Sequence, residues 1–215
     1  MTAEEPLSRR RVMQGGLGAM ALVVSAPLAA AGLTPSQTAG PFFPGKDQAD
    51  KDLDLTRVEG RSESARGEVI EISGQVLDES GAPVAGARVD VWQANSAGRY
   101  DHEDDPNPAA LDPNFQGWAH LTTDAQGRYR IRTIKPGDYP VREGWSRPPH
   151  VHFKVARRGF RELTTQMYFA GHALNEVDLL WKELSPDDRA RVTVAFAADD
   201  AAAPAGRFDL VMKKV

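Results

Sequence analysis

The chain predicts a mainly β fold, a β-sandwich of mixed and antiparallel strands with short helices and long loops. Three observations predict it. Short runs rich in β-branched and aromatic residues recur and stop at turn-forming clusters such as Glu79-Ser80-Gly81 and Asp124-Ala125-Gln126-Gly127. Within those runs polar and apolar residues alternate, as on a strand with one covered face. Only residues 174–184 show helical spacing, through Leu174, Val177, Leu180 and Leu184.

In chain order, residues 34–44 are a lead-in punctuated by Pro and Gly, and residues 69–78 are β-branched and read as the first strand. Residues 88–93 alternate, which puts Val89 and Val91 on the face opposite Arg88 and Asp90. Residues 118–123 and 128–134 flank the turn at 124–127 and form a hairpin. The remaining strands are expected over 150–155, 164–169, 190–196 and 207–212. No internal repeat is evident, and many short strands with one modest helix fit a sandwich.

A chain of 215 residues fits one domain with a sizeable core, and 41% hydrophobic against 26% charged residues excludes a disordered or collagen-like chain. There are no cysteines, so disulfides, thiolate zinc sites, iron–sulfur clusters and cysteine nucleophiles are all excluded. Any metal must be held by His, Tyr, Asp or Glu. The formal net charge is -4, with no basic run beyond the N-terminus, which argues against nucleic acid as a partner.

Residues 1–31 read as an export signal rather than as part of the fold. Ser8-Arg9-Arg10-Arg11 precedes an uncharged stretch from Gly15, and Ala29-Ala30-Ala31 offers a small-residue cleavage site. The stretch is too short and too rich in Gly and Ala for a comfortable membrane span. The paired arginines resemble a twin-arginine signal, although Val12 and Gln14 depart from its usual aromatic and lysine. The expectation is an exported protein, periplasmic or extracellular, with a mature domain over 32–215 and no stable membrane association after cleavage.

His150-Val151-His152 carries the chemistry. On a strand, residues two apart project to one face, roughly 6.5 Å apart at Cα, so both imidazoles can reach one ion. Pro148 and Pro149 hold the preceding backbone extended and support the strand. A lone His-x-His is more often structural than ligating. Its weight here comes from the company it keeps: Gly98-Arg99-Tyr100-Asp101-His102, Lys135-Pro136-Gly137-Asp138-Tyr139-Pro140 and Trp145-Ser146-Arg147-Pro148-Pro149.

With these segments the chain resembles the intradiol ring-cleavage dioxygenases, from Thr34 to about Met212. The matches include Pro35-Ser36-Gln37-Thr38-Ala39-Gly40-Pro41, Val91-Trp92-Gln93-Ala94-Asn95, Leu111-Asp112-Pro113-Asn114-Phe115, Arg132-Thr133-Ile134-Lys135-Pro136-Gly137, Thr165-Gln166-Met167-Tyr168-Phe169 and Arg207-Phe208-Asp209-Leu210-Val211. The resemblance implies a non-haem Fe(III) ion on Tyr100, Tyr139, His150 and His152, inside a barrel-like sandwich and reached through the long loops. It implies cleavage of a catechol-type diol by O2 between its two hydroxylated carbons, to a cis,cis-muconate type diacid. Within that chemistry it implies that Tyr139 leaves the metal and acts as a base. Arg147 would stabilise the electron-rich ring, and Gln166 would stand beside the ligand set.

Elementary chemistry agrees with the donor types. A phenol with a pKa near 10 ionises at neutral pH only beside a strong Lewis acid, and two phenolates favour ferric over ferrous iron. A ferrous oxygenase would show two His and a carboxylate, and a catalytic zinc three His or two His plus Glu. The loop Asp101–Asp105 is expected to be solvated, with His102 outside the ligand set, and His120 and His172 are expected to be structural. Val141 stands where the resembled family carries a large aromatic, which leaves the diol open, and a homo-oligomer is expected. The competing class is a non-enzymatic, transthyretin-like or carboxypeptidase-regulatory sandwich used for binding. Ser73-Gly74-Gln75-Val76 and Gly81 to Val89 fit that scaffold equally well, and that reading wins only if the four donors fail to converge.

Overall fold

The computed structural model describes residues 32–45, 48, 50–197 and 203–215. The expected export signal over 1–31 lies outside the described residues. Among the described residues no helix is long and apolar enough to cross a membrane.

Two sheets form the body. In the first, β1 (Val69–Asp78) pairs antiparallel with β4 (Arg128–Ile134) and parallel with β10 (Ala205–Arg207) and then β11 (Leu210–Met212). The second has five strands in the order β3 (Trp118–Thr122), β2 (Arg88–Trp92), β7 (His150–Ala156), β8 (Leu163–Phe169) and β9 (Thr193–Val194). A separate hairpin, β5 (Tyr139–Arg142) with β6 (Trp145–Arg147), completes the strands. The core between the sheets takes Ile70, Ile72 and Val76 from β1 and Tyr129 and Ile131 from β4. Facing them are Val89 and Val91 from β2, Val151, Phe153 and Val155 from β7, and Met167 from β8. This is the mixed sandwich that the alternation predicts.

Five expectations need correction. The run 207–212 is two strands, interrupted at Phe208 and Asp209. There the Phe208 carbonyl approaches Gly74 so closely that a Cβ on Gly74 would lie 1.9 Å from it, and the Asp209 carboxylate accepts the Gln75 N–H at 2.8 Å. The segment 174–184 is a 3-10 turn (Ala173–Val177) followed by the short helix α1 (Leu179–Lys182). Its apolar spacing did not mark the inward face: Leu174, Leu180 and Leu184 are half-buried and Val177 is exposed, while Asn175, Asp178 and Trp181 are buried. Asn175 Nδ2 donates to Phe169 O at 2.8 Å, so a polar residue ties the turn to β8.

The expected strand at 190–196 shrinks to β9, because helix α2 (Pro186–Val192) precedes it. Ser185 accepts the Asp188 N–H as N-cap, and Pro186, Asp187 and Asp188 complete a helix-start signal that outweighs the β-branched residues behind it. The fourth correction is the β5–β6 hairpin, for which no strands were expected. The fifth is the hairpin expected across 124–127: β3 pairs with β2 and β4 with β1, so the chain crosses at that turn from one sheet to the other.

Candidate metal centre and cleft

Strand β7 presents Val151, Phe153 and Val155 to the core, so His150 and His152 project from the opposite, outer face of the five-stranded sheet. The site therefore lies on the outside of one sheet, roofed by loops, and not inside the sandwich as expected. Cross-strand register extends this face: His152 stands between Trp92 of β2 and Gln166 of β8, and His150 opposite Tyr168. A second apolar cluster covers it, made of Trp92, Ala94, Tyr100, Trp118 and Tyr139, with Phe42 and Phe43 of the lead-in packed against it.

The tyrosines arrive on two loops clamped together. Asn95 Oδ1 accepts the N–H groups of Ala97 and Arg99 at 2.9 and 3.0 Å, and its carbonyl accepts the N–H of Gly137 at 2.9 Å. Gly98 has φ 75°, and a Cβ there would fall 2.3 Å from the Asp138 carbonyl. Only glycine permits this approach, which brings Tyr139 beside Tyr100. Asp101, Glu103 and Asp104 are exposed as expected, but Asp105 accepts the Tyr100 N–H at 2.6 Å and is buried, so it is a structural anchor. Tyr139 opens β5 and pairs with Arg147 of β6.

The four expected donors converge. The Tyr100 hydroxyl lies 3.3 Å from His150 Nε2 and 3.2 Å from His152 Nε2. The Tyr100 and Tyr139 rings meet edge-on at 5.7 Å between centroids, and Tyr139 and His150 are also 5.7 Å apart. His150 Nδ1 sits 2.7 Å from the Pro148 carbonyl, which can only accept, so the proton belongs on Nδ1 and the Nε2 lone pair faces the tyrosines. All four side chains are buried.

Burial, then the nearby Arg147 charge, holds His150 well below the usual imidazole range and His152 down to about 3. Burial likewise pushes both phenols up, Tyr100 further by the neighbouring Tyr139, with Arg147 opposing. The set thus offers two neutral imidazole nitrogens and two phenol oxygens whose protons only a strong Lewis acid would displace. Those donors fit ferric iron. Among the described residues no group of three or more His, Cys, Asp or Glu is placed to hold a metal.

Arg147 and Gln166 flank this set, both buried. Arg147 Nη2 donates to Gln166 Oε1 at 2.6 Å, and Gln166 Nε2 donates to Thr38 O at 2.9 Å. Tyr168 receives Gln37 Nε2 at 3.0 Å, and burial pushes its hydroxyl up to about 12. A cleft of about 570 Å³ opens beside the donors, lined by Phe42, Tyr139, Val141, Trp145, Arg147 and Leu180 among others. Val141 is exposed on this wall. His120 is exposed on the surface, and His172 Nδ1 accepts the Leu174 N–H at 3.4 Å as a cap, so neither joins the site.

Sequence reasoning missed Trp92, whose indole stacks on His152, and Asp178, an ion-pair partner of Arg147. Strand alternation from Val91 carried the signal for Trp92. Asp178 had none, because it lies far along the chain in a segment read by its leucines.

A sandwich with an external, four-donor centre of two phenols and two imidazoles defines a dioxygenase class of protein. The family model described as dioxygenase matches residues 38–213, and the chain belongs to that family, the intradiol ring-cleavage dioxygenases, not to the non-enzymatic modules. Among curated relatives it is 41% identical over 180 residues to the protocatechuate 3,4-dioxygenase beta chain of Burkholderia cepacia, covering 80% of this chain and 76% of that one. It is 37% identical over 130 residues to a chlorocatechol 1,2-dioxygenase of Pseudomonas sp. (strain P51), covering 54% of this chain and about half (49%) of that relative's length. Among solved structures, the dioxygenase domain of a dioxygenase carbohydrate-binding protein fusion from Streptomyces sp. SirexAA-E superimposes with a TM-score of 0.65 at 29% identity, over 86% of this chain and 100% of that one.

Proposed function

We propose that Tyr100, Tyr139, His150 and His152 hold a ferric ion, and that the chain opens a catechol-type diol between its hydroxylated carbons with O2. Convergence of the four donors carries this reading. Ferric iron would supply a Lewis acid that ionises the two phenols and draws electron density from a bound diol. Both oxygen atoms of O2 enter the product, a cis,cis-muconate type diacid, so no external reductant is required.

The chain's own residues do the rest. Tyr139 lines the cleft and is less enclosed than Tyr100, so its phenolate oxygen is placed to take a proton from a substrate hydroxyl. Arg147, also on the cleft wall, is held rigidly and stabilises negative charge that develops on the ring. Gln166 bridges Arg147 to the lead-in at Thr38 and so orients the guanidinium. Phe42, Pro41 and Trp145 exclude water. A cavity of about 150 Å³ already houses a benzene-sized ligand, so the cleft has room for a substituted ring.

The reading extends to a cleaved twin-arginine type signal over residues 1–31, an exported mature chain and a homo-oligomer. The charged stretch and small residues at Ala29-Ala30-Ala31 support the first two. The decisive experiment is metal analysis with an optical spectrum, followed by anaerobic catechol titration and admission of oxygen. Stoichiometric iron, a red to purple colour and muconate formation are expected. An iron-loaded protein that takes up catechol but makes no ring-opened product sinks the assignment.

A further inference from the structure

Asp178 is wholly buried at the junction between the 3-10 turn and α1, far along the chain from every donor of the metal centre. As the N-cap residue of α1 it would ordinarily accept a helix N–H, yet its side chain makes no capping bond. The carboxylate turns to the cleft wall instead. Oδ1 lies 3.1 Å from Arg147 Nε and accepts the Trp145 Nε1–H at 3.2 Å. Its backbone N–H is bonded to the carbonyls of Leu174 and Asn175, so the turn holds it in place. Both contacted side chains line the cleft.

A buried carboxylate is costly unless paired, and a buried ion pair gives little net stability over apolar residues of like size. Retaining one here makes sense as orientation. Gln166 and Tyr168 both hold Arg147 at Nη2, at 2.6 and 3.4 Å, and Asp178 forms an ion pair with it at the other end of the guanidinium, 3.1 Å from Nε. The two hydrogen bonds both fall on Nη2, so the guanidinium could pivot about that atom, and the carboxylate charge beside Nε opposes that motion. The same oxygen pins the indole of Trp145, so one carboxylate aligns two walls of the cleft.

We propose that Asp178 is a positioning residue for ring cleavage, fixing the guanidinium of Arg147 and the indole of Trp145 against the substrate. This rests on the function proposed above. Displacing a fixed electrostatic group by about 1 Å can cost up to about a hundredfold in rate while ground-state binding is barely changed.

The test is a double-mutant cycle on iron-loaded full-length protein with catechol, using Asp178→Asn, Arg147→Met and the pair. Asp178→Asn is expected to keep its iron, its visible band and its anaerobic catechol affinity within about twofold, and to lose about tenfold or more in kcat. In the Arg147→Met background the same change is expected to cost several-fold less, because no guanidinium is left to place and only the Trp145 contact remains. An equal loss in both backgrounds, or wild-type kcat in Asp178→Asn, overturns the proposal. Should Asp178→Asn not fold, Asp178→Glu keeps the charge at a displaced position: reduced kcat with iron, band and affinity retained supports the role, and wild-type kcat overturns it. If the wild-type protein itself fails to open catechol, it is the functional reading that has failed, and the cycle is not reached.

Discussion

The imidazole of His152 lies flat against the indole of Trp92, with ring planes 7° apart and centroids 4.7 Å apart. The two residues are direct cross-strand partners of β7 and β2, so register alone sets them face to face. Phe43 closes the other side of the indole edge-on at 4.9 Å. Among the described residues His152 Nδ1 has no hydrogen-bond partner, whereas His150 Nδ1 is tied to Pro148. One imidazole is thus oriented by a hydrogen bond and the other by stacking.

Trp92→Ala is expected to remove about 3–5 kcal/mol of stability from the iron-free protein and to weaken its hold on iron. Trp92→Phe keeps a stacking face and removes an indole N–H that has no partner, so it should cost much less. Chemical denaturation curves and metal analysis of both variants check this. Equal losses for Ala and Phe would show that the stack is unimportant.

Tyr139→Phe keeps the ring that packs in the second cluster and removes one phenol oxygen. The iron-loaded variant is expected to show a shifted or weaker phenolate charge-transfer band and much lower turnover, with metal still bound by the other three donors. An unchanged absorption spectrum would remove Tyr139 from the ligand set.

Arg147→Lys retains a positive charge beside Asp178 but loses the planar fork that reaches Gln166 and Tyr168. The expected result is full iron content with kcat lowered by about tenfold or more, read in steady-state kinetics beside metal analysis. Loss of metal with undiminished turnover per iron would contradict the role given to this arginine.

Asp78 contributes to the acid side of the stability profile. The Lys214 ammonium, Ser80 and the N–H of Ala82 hold its carboxyl well below the usual value of 3.8 in the fold. Between the lowered and the ordinary value the unfolded chain binds the proton and the fold does not, so this contribution is full above about pH 4 and drains away as pH falls below it. Asp78→Asn is expected to be less stable than wild type at pH 7, with the gap narrowing in denaturation curves taken near pH 3. A gap that stays constant with pH would contradict the linkage.

The strands were largely legible because alternation is a local property. Residues 69–78 and 128–134 behave as their patterns require, and their inward residues are those the alternation marks. The misreadings have a common cause. In residues 174–184 the leucine spacing suggested an inward apolar stripe, but Asn175 and Asp178 are drawn inward by Phe169 O and Arg147. In Asp101–Asp105 the acidic composition suggested water, which holds for Asp101, Glu103 and Asp104, but Asp105 is turned in by the Tyr100 N–H. In both cases the partner comes from elsewhere in the chain or from the backbone, where no side-chain pattern can announce it.

The sequence by itself determined that His150 and His152 share one face of a strand, because side chains alternate with a period of two. It also determined that phenols, imidazoles and carboxylates, and no thiols, were the donors on offer. Only the tertiary structure decided that this face is the outer one, and that Tyr100, 50 residues from His150, reaches it. Those outcomes depend on sheet register, on Gly98 letting the Asp138 backbone come close, and on which sheet face the core claims. They are properties of packing between distant segments, where one buried contact gains or loses according to what every other segment does.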